Sequence, residues 1–261
     1  MPARRASPSR TQRDRAVVRR QWAACGLVAA FSSIAAKAGP PFITDDPEPT
    51  PTGQFENYLF VEGTRAGGTS GPAAVGGEIN YRVFPDTQVT FSFPLNPGPG
   101  PGGYGVVWSP LGGGVKYRFM EEDNAGWRPQ AALFPQVSIP IGPLERGQPV
   151  TWLLPLWAQK SSGRFTAFGG GGLTINPGAG NRDYLIWGVG LLDQLTADFQ
   201  AGPEVFGVSR ASVHDGASNA LGFGAVYDLN DTWHLAGSAN TAIANRREDV
   251  FSFNLAVKWT H

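Results

Sequence analysis

The last eleven residues of the chain, 251–261, alternate between two kinds of side chain, which is the pattern of a β-strand. One face carries Phe251, Phe253, Leu255, Val257 and Trp259, and the other carries Ser252, Asn254, Ala256 and Lys258. A soluble sandwich can contain such a strand. An aromatic-rich apolar face on a chain-terminal strand of about ten residues is, however, typical of the closing strand of an outer-membrane barrel. Such barrels usually end on an aromatic residue, whereas this chain ends on His261.

Residues 1–38 have the pattern of a secretory signal peptide. Seven arginines and one acid precede position 21, an uncharged apolar stretch covers Trp22 to Ala36, and Ala36-Lys37-Ala38 is a small-x-small cleavage pattern. The apolar stretch is shorter than the roughly 20 residues that a spanning helix needs. We therefore expect cleavage near Ala38 and a final location in the outer membrane. An uncleaved anchor and a twin-arginine signal at Arg19-Arg20 are the alternatives.

The charge balance changes once this segment is removed. Residues 1–38 hold 8 of the 21 Lys and Arg residues but only 1 of the 21 Asp and Glu residues, so the remainder has 13 basic and 20 acidic residues, a net charge of −7. An acidic chain is a poor ligand for nucleic acid, and none is expected as a partner. The only cysteine, Cys25, lies in the signal, which excludes disulfide and cysteine chemistry from the rest.

Short runs with β-strand character fill the remainder and are separated by Gly, Pro, Asn and Asp clusters. The predicted strands are 53–64, 74–84, 87–95, 106–119, 127–140, 151–160, 164–175, 184–193, 197–208, 219–228, 232–242 and 249–260. Tight connections alternate with longer ones, as an up-and-down membrane barrel requires. The sequence thus predicts an all-β, up-and-down antiparallel transmembrane β-barrel of about twelve strands. It covers 53–261, after an extended Pro-rich periplasmic segment at 39–52.

The two faces of each predicted strand differ in polarity, and charged side chains fall on the inner one. Charges on the lipid face would cost about 2–4 kcal/mol for a basic group at mid-membrane. The candidate lumen-lining residues are Glu78, Arg82, Lys116, Arg118, Arg128, Trp157, Phe168, Asp198, Glu204, His234 and Lys258. Phe60 and Phe134 also point inward in this register, so aromatic rings inside could form an apolar path or simply fill space.

Motifs for catalysis or cofactor binding are weak. The three histidines, His214, His234 and His261, form no zinc-hydrolase pattern, so neither an enzyme nor a cofactor is expected. Thr44-Asp45-Asp46 with Glu48 could bind a hard cation through oxygen ligands, but a solvated turn is the favoured interpretation. The run Gly169–Gly172 either lets a loop or plug approach the wall or marks a bend.

The segment Gly39-Pro-Pro-Phe-Ile-Thr-Asp-Asp-Pro-Glu-Pro49 is followed by an aromatic-rich first strand with Phe55, Tyr58 and Phe60. Over about 25 residues this resembles the mature N-terminus of a bacterial outer-membrane family named for the meta-pathway of phenol degradation. The resemblance implies an outer-membrane location and passage of small hydrophobic or aromatic compounds. It supplies no catalytic residue.

The expected function is passive transport through the barrel. A closed structural or surface-binding barrel and a soluble secreted β-sandwich are the alternatives. The expected partners are outer-membrane lipid, the barrel-assembly machinery through the C-terminal strand, and a small hydrophobic solute.

Overall fold

The computed structural model describes residues 42–66, 69–71, 73–100, 103–108, 110–123, 125–141, 147–243 and 250–261. The predicted signal peptide and residues 39–41 lie outside these ranges. The strands are β1 (Phe55–Ala66), β2 (Thr69–Ser70), β3 (Ala74–Phe84), β4 (Thr87–Gly100), β5 (Gly103–Trp108), β6 (Leu111–Met120), β7 (Gln130–Leu133), β8 (Gln136–Ile139), β9 (Thr151–Ser162), β10 (Phe165–Ile175), β11 (Tyr184–Thr196), β12 (Phe199–Val208), β13 (Ser218–Asp228), β14 (Trp233–Ala242) and β15 (Phe251–Thr260). Over the same ranges, no helix has the length and apolar character to cross a membrane.

The described strands close into one antiparallel barrel. β5 and β6 both pair with β4 and act as one staggered wall strand, and β7 and β8 likewise share the partners β6 and β9. β2 pairs only with β1, so twelve wall strands remain. Ten residue pairs between β1 and β15, from Glu56–Thr260 to Arg65–Phe251, join the first strand to the last. The prediction of a twelve-stranded barrel is confirmed.

Two predicted strands differ from the observed ones. β4 runs on to Gly100 and pairs with β5, so most of the predicted loop at 96–105 is a hairpin. The predicted strand 127–140 is interrupted at Phe134 and Pro135, because Pro135 has no N–H for the ladder. The backbone remains satisfied there: the Val115 N–H donates to the Pro135 carbonyl at 3.0 Å, and the Phe134 N–H donates to the Pro155 carbonyl at 3.2 Å.

Burial separates the two faces of the wall. On β11 the side chains of Leu185, Trp187, Val189 and Leu191 are exposed, whereas Tyr184 and Ile186, at alternate positions, are buried. Exposed apolar residues recur at every second position on most other wall strands, for example Val89 and Phe91 on β4. The buried polar residues include Glu78, Asn80, Gln88, Thr90, Lys116, Gln130, Glu204, Ser238 and Asn240. The barrel therefore has an apolar outer surface and a largely polar interior, as lipid outside requires.

A row of stacked rings crosses the seam at the end of the barrel that carries the tight turns. The Trp233 and Trp259 ring centroids are 5.8 Å apart, and His261 stacks on Trp259 at 3.8 Å and on Phe55 at 5.4 Å. Tyr81 continues the row at 4.4 Å from Phe55. His261 thus occupies the place where a terminal aromatic residue is usual, and its backbone exchanges two hydrogen bonds with Phe55.

The glycine run in β10 is explained by crowding against neighbouring strands. A Cβ on Gly169 would lie 2.7 Å from the Gly188 carbonyl oxygen on β11, and one on Gly172 would lie 2.6 Å from the Leu154 carbonyl oxygen on β9. At Gly170 a Cβ would collide with the Leu156 carbonyl oxygen and lie 2.8 Å from the Trp157 ring, and its φ of +156° is rare for other residues. The backbones of β9 and β11 thus approach this run, whereas the two interpretations from the sequence are a loop or plug against the wall and a bend.

We expect Gly170→Ala to destabilise the barrel by about 3 kcal/mol, because backbone atoms cannot make room for the added methyl group. Urea unfolding followed by heat-modifiable gel migration measures the loss. Gly113→Ala is the matched control, since a Cβ there meets nothing closer than 3.8 Å. Equal urea midpoints for the two variants would contradict this account of the glycine run.

Candidate functional site

Residues 42–50, here called the lumen segment, lie inside the barrel. Phe42, Thr44, Asp45 and Thr50 are each at most 6% exposed. Pro47 and Pro49 have no N–H to donate and keep the chain extended, so the segment adds no strand to the wall. Several of its polar groups bond to inward-facing side chains on opposite walls, among them the Thr44 N–H and the Asp45 carboxylate. This differs from the expected periplasmic segment at 39–52: most of residues 42–50 are buried in the lumen, while Glu48, Pro51 and Thr52 are exposed.

Lys116 on β6 holds the centre of the lumen segment. Its ammonium lies 3.0 Å from Asp45 Oδ1, 3.5 Å from Asp46 Oδ1 and 3.4 Å from the Glu48 carbonyl oxygen. The Phe134 ring lies beneath the ammonium, 5.1 Å from its centroid. Lys116 and Asp45 are almost fully buried, so each requires the other to offset the cost of burying its charge.

Glu48 lies nearer than Asp45 to the end of the barrel that carries the tight turns. It accepts hydrogen bonds from Arg118 at 3.2 Å and from Gln130 at 2.7 Å. Arg118 also pairs with Asp86 in the β3–β4 turn and with Glu121. The Thr50 N–H donates to Gln88 Oε1 at 2.7 Å. One side of the barrel, formed by β4, β6 and β7, therefore binds the segment through four side chains.

Glu204 on β12 binds the other end of the segment. Its carboxylate accepts the Ile43 N–H at 3.0 and 3.2 Å and the Thr44 N–H at 3.0 Å. Glu204 is 1% exposed. Thr44 packs where a Cβ on Gly188 would be, so a glycine on β11 lets the segment approach the wall closely. The lumen segment is thus fastened on both sides of the barrel.

The β9–β12 part of the wall is apolar inside. Its buried, inward-facing apolar side chains include Leu153, Trp157, Phe168, Tyr184, Ile186, Phe206 and Val208, while Thr174 and Glu204 are the buried polar residues of these strands. The ring of Phe42, at the described start of the lumen segment, lies 5.1 Å from that of Phe168. This apolar wall, mostly toward the end with the longer connections, is continuous with the place where the segment begins.

The structure brings some of the predicted lumen residues together. Lys116, Arg118 and Glu204 bind the lumen segment, and Trp157 and Phe168 belong to the apolar wall. Glu78 is buried and accepts a hydrogen bond from Asn80. Arg82 pairs with Asp86 at 3.3 Å.

The other four predicted residues lie apart from the segment. His234 Nδ1 is 2.6 Å from Asp228 Oδ1, and the Lys258 ammonium is 3.3 Å from Glu56 Oε1. Arg128 and Asp198 are exposed in connections at the tight-turn end, so they do not line the buried lumen.

The acceptors on the segment, Asp45 and Glu48, were missed as lumen residues. The available signal was the excess of inward-facing cations on β3 and β6, because buried cations need acidic partners. At the candidate cation site, Thr44-Asp45-Asp46 with Glu48, the carboxylates bind cationic side chains of the wall. Lys116 pairs with Asp45 and Asp46, and Arg118 pairs with Glu48. Among the described residues, no group of three or more His, Cys, Asp or Glu side chains could hold a metal ion.

Comparison with solved structures shows the same architecture. An outer-membrane channel from Pseudomonas putida F1 superposes with a TM-score of 0.64 at 10% sequence identity, covering 86% of this chain and 100% of that one. The KdgM porin superposes with a TM-score of 0.52 at 9% identity, covering 77% of this chain and 98% of that one. No family model matches the sequence, and no curated protein matches it. The chain therefore has the fold of outer-membrane channels and porins.

We expect Lys116→Met to release the lumen segment, because losing one partner of a buried pair costs about 3–5 kcal/mol. The measurement uses Thr44→Cys with Cys25→Ala and a charged thiol reagent. Lys116→Met should raise the labelling rate at least tenfold. Arg164→Met is the control, since the Arg164–Asp193 pair is at the surface and such pairs contribute about 0–1 kcal/mol. An unchanged labelling rate in Lys116→Met would show that the ion pair does not hold the segment.

Proposed function

We propose that this protein is an outer-membrane channel for passive passage of small hydrophobic or aromatic compounds, closed in this conformation by its lumen segment. One observation supports this proposal above the others. The barrel has an apolar inner wall, and its lumen is filled by the lumen segment as well as by wall side chains. A twelve-stranded barrel lies between the small filled barrels and the wide porins, so displacing one extended segment would leave a narrow path.

The apolar wall supports the choice of solute. Ligand sites for small molecules are mainly apolar, with a few polar groups that fix orientation. Here Leu153, Trp157, Ile186 and Phe206 provide the apolar part, and Glu204 lies at its edge on the same face of β12 as Phe206. The resemblance of residues 39–49 to the family named for phenol degradation favours the same class of solute.

The structural neighbours support a channel without indicating the solute. The Pseudomonas protein is described as an outer-membrane channel and KdgM as a porin, and KdgM is also known in complex with oligogalacturonate. An outer-membrane location follows from the same fold together with the exposed apolar side chains of the wall strands. We further propose that β15 is recognised by the barrel-assembly machinery.

A closed structural or surface-binding barrel is the second candidate. The Lys116–Asp45 pair and the bonds to Glu204 engage the segment on two walls, and this favours a permanently filled interior. The two candidates differ in whether removing the segment produces a conducting pore.

We expect deletion of residues 42–50 to raise single-channel conductance in planar bilayers at least fivefold over the full chain. The reason is that the deletion removes the segment that fills the lumen while leaving all wall strands intact. Lys116→Met/Arg118→Met should give an intermediate conductance, and Arg164→Met should match the unmodified protein. If neither the full chain nor the deletion variant conducts, the barrel is a scaffold.

Growth at limiting carbon tests the solute class. A deletion strain should grow at least twofold more slowly than its parent on aromatic and alkane substrates. We expect wild type to restore growth and Trp157→Ala/Phe168→Ala to restore it only in part, because that variant removes rings from the apolar wall. Trp187→Ala/Phe223→Ala is the matched control, since these rings are exposed on the outer face. A defect limited to polar substrates would overturn the proposed solute class.

A further inference from the structure

Beside Glu204 lies a group of oxygen acceptors that the lumen segment leaves unpaired. Asn240 is 4% exposed and Ser238 is 7% exposed, and neither Asn240 Oδ1 nor Ser238 Oγ has a hydrogen-bond partner among the described residues. Asn254 Oδ1 is also unpaired, and Asn254 is the cross-strand partner of Ser238. Burying unpaired polar atoms costs free energy, so a bound group that donates hydrogen bonds to these three oxygens would be stabilised here.

Of these acceptors, Asn240 Oδ1 meets Glu204 over Gly222. Glu204 Oε1 lies 3.0 Å from the position that a Cβ on Gly222 would take, and Asn240 Oδ1 lies closer still. Any larger side chain at position 222 would fill the space between these two oxygens, whereas glycine leaves that space open. The sheet register agrees, because Gly222 pairs with Glu204 on one side and with Asn240 on the other.

The charge of Glu204 has no cationic partner within the described part of the chain. Its carboxylate is satisfied by the Ile43 and Thr44 N–H groups, and the described ion pairs do not include it. Once those two N–H groups leave, a buried anion and three neutral acceptors remain. An ammonium group carries one positive charge and three donors and has no acceptor, so it matches this set.

Two aromatic rings of the inner wall lie near the carboxylate. Phe206 is two residues along the same inner face of β12, and Phe168 covers Gly190, which is the cross-strand partner of Glu204. Phe42 packs on Phe168. A solute with an apolar body would therefore place that body on the apolar wall while its polar end reaches Glu204.

We propose that Glu204 and Asn240 form the recognition site for the ammonium group of an amine with an apolar body, and that this amine replaces the Ile43 and Thr44 N–H groups. The inference rests on the proposed channel function and specifies its solute class. Binding and opening are coupled, because the ammonium and the lumen segment compete for the same carboxylate.

Isothermal titration calorimetry on the full chain in detergent tests the site with benzylammonium, benzyl alcohol and benzoate. Benzylammonium should bind wild type at least tenfold more tightly than Glu204→Gln, and benzyl alcohol should change less than threefold. Glu78→Gln is the matched control because it removes another buried lumen carboxylate, and it should change benzylammonium binding less than twofold. The double variant Glu204→Gln/Asn240→Asp should bind benzylammonium at least threefold more tightly than Glu204→Gln alone. The reason is that it places a carboxylate on the other side of Gly222.

Three outcomes would overturn the site: no benzylammonium binding by wild type, equal binding by wild type and Glu204→Gln, or benzoate binding as tight as benzylammonium. Heat-modifiable migration verifies that each variant is folded. The rate of thiol labelling at Thr44→Cys measures the coupling between amine binding and release of the lumen segment. Benzylammonium should accelerate this labelling at least fivefold. An unchanged rate would show that the amine and the segment do not compete for Glu204.

The two proposals fail separately. Glu204-dependent binding without conductance in the deletion variant would keep the amine site and reject the channel. Conductance of the deletion variant without Glu204-dependent binding would keep the channel and reject the amine site.

Discussion

The hydrogen-bonded seam between β1 and β15 is the constraint on which the rest of the structure depends. In lipid each backbone N–H and C=O must find a partner within the protein, so an open sheet of these strands would leave two unpaired edges. Ten residue pairs remove both edges. Closure also creates an interior, and every second side chain on each strand points into this interior. Closure therefore shields those side chains from lipid, so polar and charged groups such as Lys116 and Glu204 can occupy the interior.

A closed interior lined with charges must neutralise them locally. Lys116 is 4% exposed and Arg118 has little exposed side chain, so their partners must come from inside the barrel. Asp45 and Glu48 on the lumen segment supply part of them, beside Asp86 and Glu121 for Arg118, and the segment gains a fixed position in return. On the other wall the relation is reversed, because a wall carboxylate, Glu204, receives backbone N–H groups of the segment. Apart from the Thr50 N–H, which donates to Gln88, the segment thus presents acceptors to one wall and donors to the other.

Local periodicity in the sequence was sufficient to predict the walls and their faces. The alternation placed Lys116, Trp157, Phe168 and Glu204 inward without any knowledge of pairing, since the two-residue period is local. The lumen segment could not be placed in this way. Its contacts join Asp45 to Lys116 across 71 positions and Thr44 to Glu204 across 160, and its prolines give it no period. Likewise, the exposed positions of Arg128 and Asp198 depend on where each turn begins, which periodicity defines poorly.

The lumen segment is connected to β1 by only four residues, Pro51 to Gln54. It therefore behaves as a ligand held at a high local concentration, on the order of millimolar or above for so short a connection. Individually weak bonds suffice to keep it in place, and after displacement it returns by an intramolecular step that does not depend on protein concentration. A solute that displaces it must outcompete this local concentration rather than a free peptide. If the proposed channel opens by displacement of this segment, the segment recloses it when the solute concentration outside falls.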